Sequence, residues 1–94
     1  MFQELNPILH SQLRLAIISI LMSNEEVDFN YIKDGTQATS GNISVQIKKL
    51  EEVGYVKVVK SFKNNYQNTS LKITSKGMKA FENYVESLKQ YIKR

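Results

Sequence analysis

The chain contains no cysteine, which excludes disulfides and thiolate metal sites alike. It has a single histidine, His10, so no motif that needs a histidine pair can be built. A lone histidine near a helix start, with only Glu4 close in sequence, reads as a cap or interface residue rather than a ligand. The longest apolar run, Leu15 to Met22, is broken by Ser19 and is far too short to span a bilayer. No basic, then apolar, then small-residue leader opens the chain, so a soluble cytoplasmic protein without a membrane partner is expected. There is no glycine-rich phosphate loop. The serines lack a nucleophile elbow. An enzyme therefore has no support, and neither cofactor nor metal is expected.

What is present suits one domain with one modest core. The chain has 94 residues, 41% of them hydrophobic and 23% charged, ordinary values for a globular domain. The net charge of +4 says less than its distribution. Residues 1–34 carry Glu4, Glu25, Glu26, Asp28 and Asp34 against Arg14 and Lys33. Residues 53–81 carry Lys57, Lys60, Lys63, Lys72, Lys76 and Lys79 and no acid. A one-sign region of that length either meets a polyanion or keeps edge strands soluble.

The most informative stretch is Thr39 to Tyr55, TSGNISVQIKKLEEVGY. Ile43, Ile47, Leu50 and Val53 recur at the helical period and can pack into a core. The other side carries Ser40, Asn42, Ser44, Gln46, Lys48 and Lys49, small polar, amide and basic groups able to donate to phosphates and read base edges. Thr39 is the expected N-cap, accepting the amide of Asn42, with Ser40 as the alternative. Gly54, free to take positive φ, should stop the helix.

Around it, Met1 to Leu5 reads as a loose start, with Asn6 as N-cap and Pro7 at the first helical position. The first helix should run from Pro7 or His10 to Met22. It has one stripe of Leu13, Ala16, Ile17, Ile20 and Leu21 and a second of Leu15, Ile18 and Met22. A helix apolar on most of its circumference must be covered on most of it. One stripe is therefore assigned to the core and the other to a partner subunit; the alternative is a central helix wrapped by its own chain. Ser23 to Val27 reads as a polar connection. A short helix opened by Asp28 or Asn30, with Phe29 and Ile32 inward, should end near Asp34-Gly35, and Thr36 to Ala38 forms a turn. Tyr55 to Phe62 is a strand, Lys63 to Asn68 a turn-rich tip, and Thr69 to Ile73 the returning strand. Thr74 or Ser75 should cap a last helix in which Met78, Phe81, Val85, Leu88 and Ile92 form a stripe widened by Tyr84 and Tyr91. That helix, about 30 Å long at 1.5 Å per residue, overhangs so small a domain.

This order of elements resembles the winged helix-turn-helix transcription regulators of the MarR and ArsR type, and most closely their small stand-alone relatives. The segments carrying the likeness are Leu5 to Leu21, Asp28 to Val56 and Leu71 to Leu88, nearly the whole chain. Most specific is the middle one, with Asn42, Ile43, Ser44, Ile47, Leu50, Glu51, Gly54, Tyr55 and Val56 at the positions that mark a recognition helix and its exit. The Thr74-x-x-Gly77 opening of the last helix also matches. The resemblance implies a mainly α (α+β) winged helix-turn-helix over residues 1–94, with a three-helix core, a two-stranded wing and a long C-terminal helix.

By the same resemblance, Thr39, Ser40, Gly41, Asn42, Ser44, Val45, Gln46 and Lys49 would face the major groove or its phosphates, with Gln46 the leading base reader and Asn42 the second. Lys49, Lys60 and Lys63 would anchor phosphates, and the wing tip from Lys63 through Asn64, Asn65 and Tyr66 to Gln67 would lie near the minor groove. The wing departs from many relatives in carrying amides and Tyr66 where arginines are common, and Tyr66 also reads as a solvated hairpin residue. The expectation is a homodimeric, sequence-specific regulator that binds an inverted repeat in double-stranded DNA through residues 39–53. Terminal helices of about 7–22 and 75–93 would pair through Leu15, Ile18, Met22, Phe81, Tyr84, Val85, Leu88, Tyr91 and Ile92. The alternative is a winged-helix protein–protein interaction module with no DNA role.

Overall fold

A computed structural model describes residues 2–92, apart from the Lys63 side chain. Its elements run α1 (Gln12–Met22), β1 (Val27–Asp28), α2 (Phe29–Thr36), α3 (Ser40–Glu52), β2 (Val56–Lys63), β3 (Tyr66–Ile73) and α4 (Ser75–Lys89). The three strands form one antiparallel sheet in the order β1-β3-β2. This is the expected α+β winged-helix class.

α1 starts later than the sequence suggests. Asn6 does cap: its Oδ1 accepts from the amides of Ile8 at 2.8 Å and Leu9 at 3.2 Å. The turn it closes is a single one, after which Ser11 takes an extended conformation and becomes the N-cap of α1. From there α1 packs against α2, α3, β3 and α4. Ile17, Ile18 and Leu21 are fully buried by those neighbours. The assignment of Ile18 to a subunit interface is thereby corrected, since its own chain covers it completely. Leu15 and Met22, from the same stripe, are half-buried. Tyr84, also placed at the interface, is a core residue whose hydroxyl meets His10 Nδ1 at 3.0 Å.

The connection after α1 is not wholly irregular. Val27 pairs opposite Leu71 and Asp28 opposite Ser70, adding a third strand to the hairpin. Without it, the outer edge of β3 would present unpaired amides. Side chains reinforce the join: the buried Ser70 hydroxyl donates to Glu26 at 2.7 Å, Asn68 Nδ2 donates to Asp28 at 3.2 Å, and Lys72 pairs with Glu26 at 3.6 Å. A two-residue strand is too short to leave an alternation pattern. The first residues are not loose either. Gln3 is bonded to the end of α4 through Ser87, Gln90 and Tyr91, and Phe2 lies 4.9 Å from the Tyr91 ring. The last helix, expected to reach residue 93, ends at Lys89, and residue 93 itself lies outside the described residues.

Gly35 lies inside α2, where a Cβ would sit 3.3 Å from Ile20 Cδ1. It serves the close approach of α1 and α2. The residue that turns the chain is Gln37, at φ 60°, with Nε2 donating to the Asp34 carbonyl at 2.8 Å.

The exit of α3 is the most tightly specified join. Gly54 sits at φ 81°, its amide donating to Glu51 O and that of Tyr55 to Leu50 O, both at 2.9 Å. These are the paired bonds of a Schellman motif. Thr74 docks onto the same turn: its hydroxyl donates to Gly54 O at 2.6 Å, its amide donates to Tyr55 O at 3.0 Å, and its Oγ1 accepts from the Gly77 amide at 3.0 Å. Gly77 is buried so closely against this turn that a Cβ there would collide with the Tyr55 carbonyl oxygen. Gly77→Ala is therefore expected to lower the unfolding free energy by about 2 kcal/mol or more, the scale of overpacking against a rigid neighbour. Gly41→Ala, with nothing within 4 Å of the added carbon, should leave stability unchanged or slightly raised. Urea midpoints for the two variants check this, and a Gly77→Ala midpoint equal to the parent's would refute the close approach.

Candidate nucleic-acid interface

Thr39 caps α3, its hydroxyl accepting from the Asn42 amide at 3.2 Å. Ile43, Ile47 and Leu50 are buried and Val53 is half-buried, which fixes the rotation of the helix. With that stripe inward, successive residues at about 100° intervals place Gly41, Val45, Lys48, Lys49 and Glu52 on the outward ridge. All five are exposed. Ser40 and Ser44 fall on the flank toward the sheet, and Asn42 and Gln46 on the flank toward the start of α1.

The two flanks differ. On the sheet side a groove of about 770 Å³ runs between α3 and the hairpin, lined by Ser40, Ser44, Ile47, Lys48 and Glu51 from the helix, Val58, Lys60 and Thr69 from the strands, and Phe29. Lys48 and Lys60 both border it. On the other flank Arg14 of α1 reaches over. Its Nε donates to the Ile8 carbonyl at 2.6 Å and its Nη1 to Gln46 Oε1 at 2.6 Å. Gln46 Nε2 in turn donates to Asn42 Oδ1 at 3.0 Å. Both ends of the Gln46 amide are thus engaged within the chain, and the residue is half-buried. Asn42 is exposed and retains its own amide hydrogens and a second lone pair. The geometry favours Asn42 over Gln46 as the group free to meet a base edge. Arg14 drew no attention in the sequence because its role depends on a neighbour 32 positions away. Lys48, noted only as part of the polar face, is the other functional candidate that the burial pattern promotes.

The hairpin pairs continuously from Val56 opposite Ile73 to Lys63 opposite Tyr66. Asn64 and Asn65 alone form its tip, at φ 51° and 67°. Two consecutive positive φ values are what a two-residue hairpin turn requires, and asparagine tolerates them best after glycine. Tyr66 is exposed near the tip. The side chain of Lys63 lies outside what the structure describes. Ion pairs among the described residues are confined to Lys72–Glu26 and Lys89–Glu86. Lys48, Lys49, Lys57 and Lys60 form no ion pair there, although Glu51 and Glu52 lie one helical turn from Lys48. The described residues contain no group of three or more His, Cys, Asp or Glu that could hold a metal, and none of their helices is long and apolar enough to cross a membrane.

A three-helix core, an amphipathic third helix with an open polar ridge and a projecting hairpin beside it define a winged-helix DNA-binding domain. A family model of that description matches residues 13–92, and the chain belongs to this family. It is 40% identical over 86 residues to an uncharacterised protein of Methanocaldococcus jannaschii, covering 92% of this chain and 94% of that one. Among solved structures it is similar to a transcriptional regulator homologue from Pyrococcus horikoshii OT3, with a TM-score of 0.84 and 32% identity over 90% of this chain and 84% of the other. A PadR family transcription regulator from Clostridium difficile shares the fold at a TM-score of 0.74 and 17% identity, covering 88% and 92% of the two chains. Family and fold are those of DNA-binding transcription regulators.

The Arg14–Gln46 bond should be energetically real, because it joins a charged donor to a half-buried acceptor. A double-mutant cycle of Arg14→Ala and Gln46→Ala, read by urea unfolding, is expected to give a coupling of about 1 kcal/mol or more. Strict additivity would show that the contact contributes nothing.

Proposed function

We propose that the protein is a homodimeric, sequence-specific regulator that sets α3 of each subunit into the major groove of duplex DNA. The observation that carries this is the outward ridge of α3. Lys48 and Lys49 stand there with no ion pair to an acid, beside the exposed Val45 and with Glu52 at the ridge's end, on a helix whose rotation is fixed by three buried residues. Gly41 adds support. Glycine within a helix is unfavourable, and no neighbour in the chain requires its missing Cβ, whereas a close-lying phosphate would. In this reading Asn42 pairs with a base, Val45 offers an apolar contact to a thymine methyl, and Ser40, Ser44, Lys48, Lys49 and Lys60 hold phosphates. Arg14 and Gln46 act behind Asn42, fixing which way its amide points. The wing tip from Lys63 to Tyr66 approaches the adjacent minor groove.

Dimerisation rests on a different surface. Phe2, Tyr91 and Ile92 leave apolar area exposed at the end of α4, and Phe81, Val85 and Leu88 are half-buried along it. Apolar area of this kind along one helix suits a second copy. With Ile18 and Tyr84 committed to the core, the pairing surface is α4 with the strapped N-terminal residues, and Leu15 and Met22 at its margin. Two such subunits would present their α3 helices to half-sites about one helical turn apart.

Molecular mass in solution, combined with selection from a random duplex pool, tests the proposal. The expected result is a dimer enriching an inverted repeat, with a log–log salt slope on the order of −5 or steeper. Asn42→Ala should relax preference at one base position by about 1–3 kcal/mol. Lys49→Ala should instead weaken all sequences alike and flatten the slope by about one. A monomer that retains no duplex at low salt would overturn the reading in favour of a protein-interaction module.

A further inference from the structure

The wing holds an apolar side chain that the fold does not use. Phe62 is 78% exposed, the highest value among the exposed large hydrophobics of the described residues. Its place in the register gives that exposure a direction. Residues directly opposite share a face of a hairpin, so one face runs Val56 with Ile73, Val58 with Leu71, Lys60 with Thr69, and Phe62 with Gln67. Val56 and Leu71 on that face are core residues, and Val58, Lys60 and Thr69 line the groove beside α3. Phe62 is the next step outward on the same face, the face that borders the groove beside the Ser40 and Ser44 flank of α3. Tyr66 belongs to the opposite face.

We infer that Phe62 is an apolar wedge that enters the minor groove next to the α3 half-site and partly unstacks a base step. The inference rests on the DNA-binding reading above. Several observations select duplex DNA as the occupant. Residues 53–81 contain lysines and no acid, so the hairpin's own charge favours a negatively charged partner over a purely apolar one. A phenyl ring can neither pair with a phosphate nor hydrogen-bond a base edge. On a duplex its apolar complements are sugar edges and the faces of bases at an opened step, which is how apolar wedges act in minor grooves. The hairpin is also held firmly enough to present the ring. β3 is tied to β1 through Asn68 to Asp28 and Ser70 to Glu26, and the turn is two residues long. Lastly, an exposed phenylalanine on an edge strand invites strand-to-strand association, a liability that a nucleic-acid contact would offset. The wedge would supply specificity where no side chain reads a base, by favouring steps that unstack easily, such as TA or CA/TG.

The test compares the full chain with Phe62→Ala and Phe62→Leu. Each protein is selected against the same random duplex pool at low salt, and duplexes carrying the enriched site are end-labelled for energy-transfer measurement of bending. The expected result is that the unchanged protein and Phe62→Leu enrich a TA or CA/TG step at a fixed offset from the half-site and bend the duplex. Phe62→Ala should keep the half-site, lose preference at that step, bend less and bind the enriched duplex about tenfold more weakly, a difference of about 1.4 kcal/mol. Identical flanks and bends for Phe62→Ala and the unchanged protein would overturn the wedge while leaving DNA binding intact, and would return Phe62 to the role of a protein contact. If the unchanged protein enriches nothing, the DNA-binding reading fails and the wedge fails with it.

Discussion

The join between the end of α3 and the start of α4 is the constraint on which the rest of the molecule depends. Two backbone bonds close the Schellman turn at Gly54 and Tyr55, and Thr74 bonds both residues of that turn while capping α4 at Gly77. One threonine thus fixes where α3 ends, where the hairpin begins and returns, and where α4 departs. Gly77 lets α4 approach the turn without a side chain between them. Tyr55 extends the join to the N-terminal segment, because its hydroxyl accepts from Asn6 Nδ2 at 2.9 Å. A register slip in the wing or a rotation of α3 would have to break this join first. The relative placement of helix ridge and wing is accordingly set by this join, backbone bonds together with the Thr74 hydroxyl, rather than by the polar residues that face outward.

That division leaves the outward residues of α3 free of structural duty, with one exception. Asn42 is linked through Gln46 to Arg14, and Arg14 is anchored on the Ile8 carbonyl. A side-chain amide has two orientations that differ in which atom donates. The chain of bonds from a guanidinium, which can only donate, settles the choice at each step. Arg14 donates, so Gln46 must offer its oxygen. Gln46 then offers its nitrogen, so Asn42 must offer its oxygen and keep its nitrogen outward. An arginine that never needs to touch a base can thereby decide the donor and acceptor pattern that a base meets.

The period of Ile43, Ile47 and Leu50 made α3 legible in the sequence, and Gly54 made its end legible, because burial and positive φ leave residue-type signatures. The same holds for Thr39, Thr74, Asn64 and Asn65. Three features left no such trace. β1 is two residues long, too brief for alternation. Gly35 looks like a helix terminator, yet its role is to admit Ile20, while Gln37 takes the left-handed turn. The second apolar stripe of α1 carried the same residue types whether covered by a partner or by its own chain, and only the packing of four neighbouring elements decided that Ile18 is core. Within the candidate site, sequence ranked Gln46 above Asn42 on glutamine's two-pronged pairing with adenine, a chemistry that asparagine shares. Only the position of Arg14 separates them. Phe62 went unremarked because strand composition alone accounts for a phenylalanine. Its face became meaningful once the register was known.

The burial of Ile18 and Tyr84 also reshapes the proposed dimer. A stable interface covers about 800 Å² per partner, and α1 can no longer supply much of it. Apart from Tyr31 on α2 and Met78 at the start of α4, the exposed large apolar residues away from α3 and the wing lie at the far end of α4, where Phe2 packs on Tyr91 near Ile92. The chain is elongated, with extents of 54 × 25 × 21 Å, so a contact confined to one helix end would act through a long lever. Small changes in how the two α4 ends meet would then shift the separation of the α3 helices appreciably. The strap of residues 2–5, held to that same end by Gln3, would lie within the pivot. In such an arrangement half-site spacing depends less on the recognition helix than on how firmly these few N-terminal residues hold the end of α4.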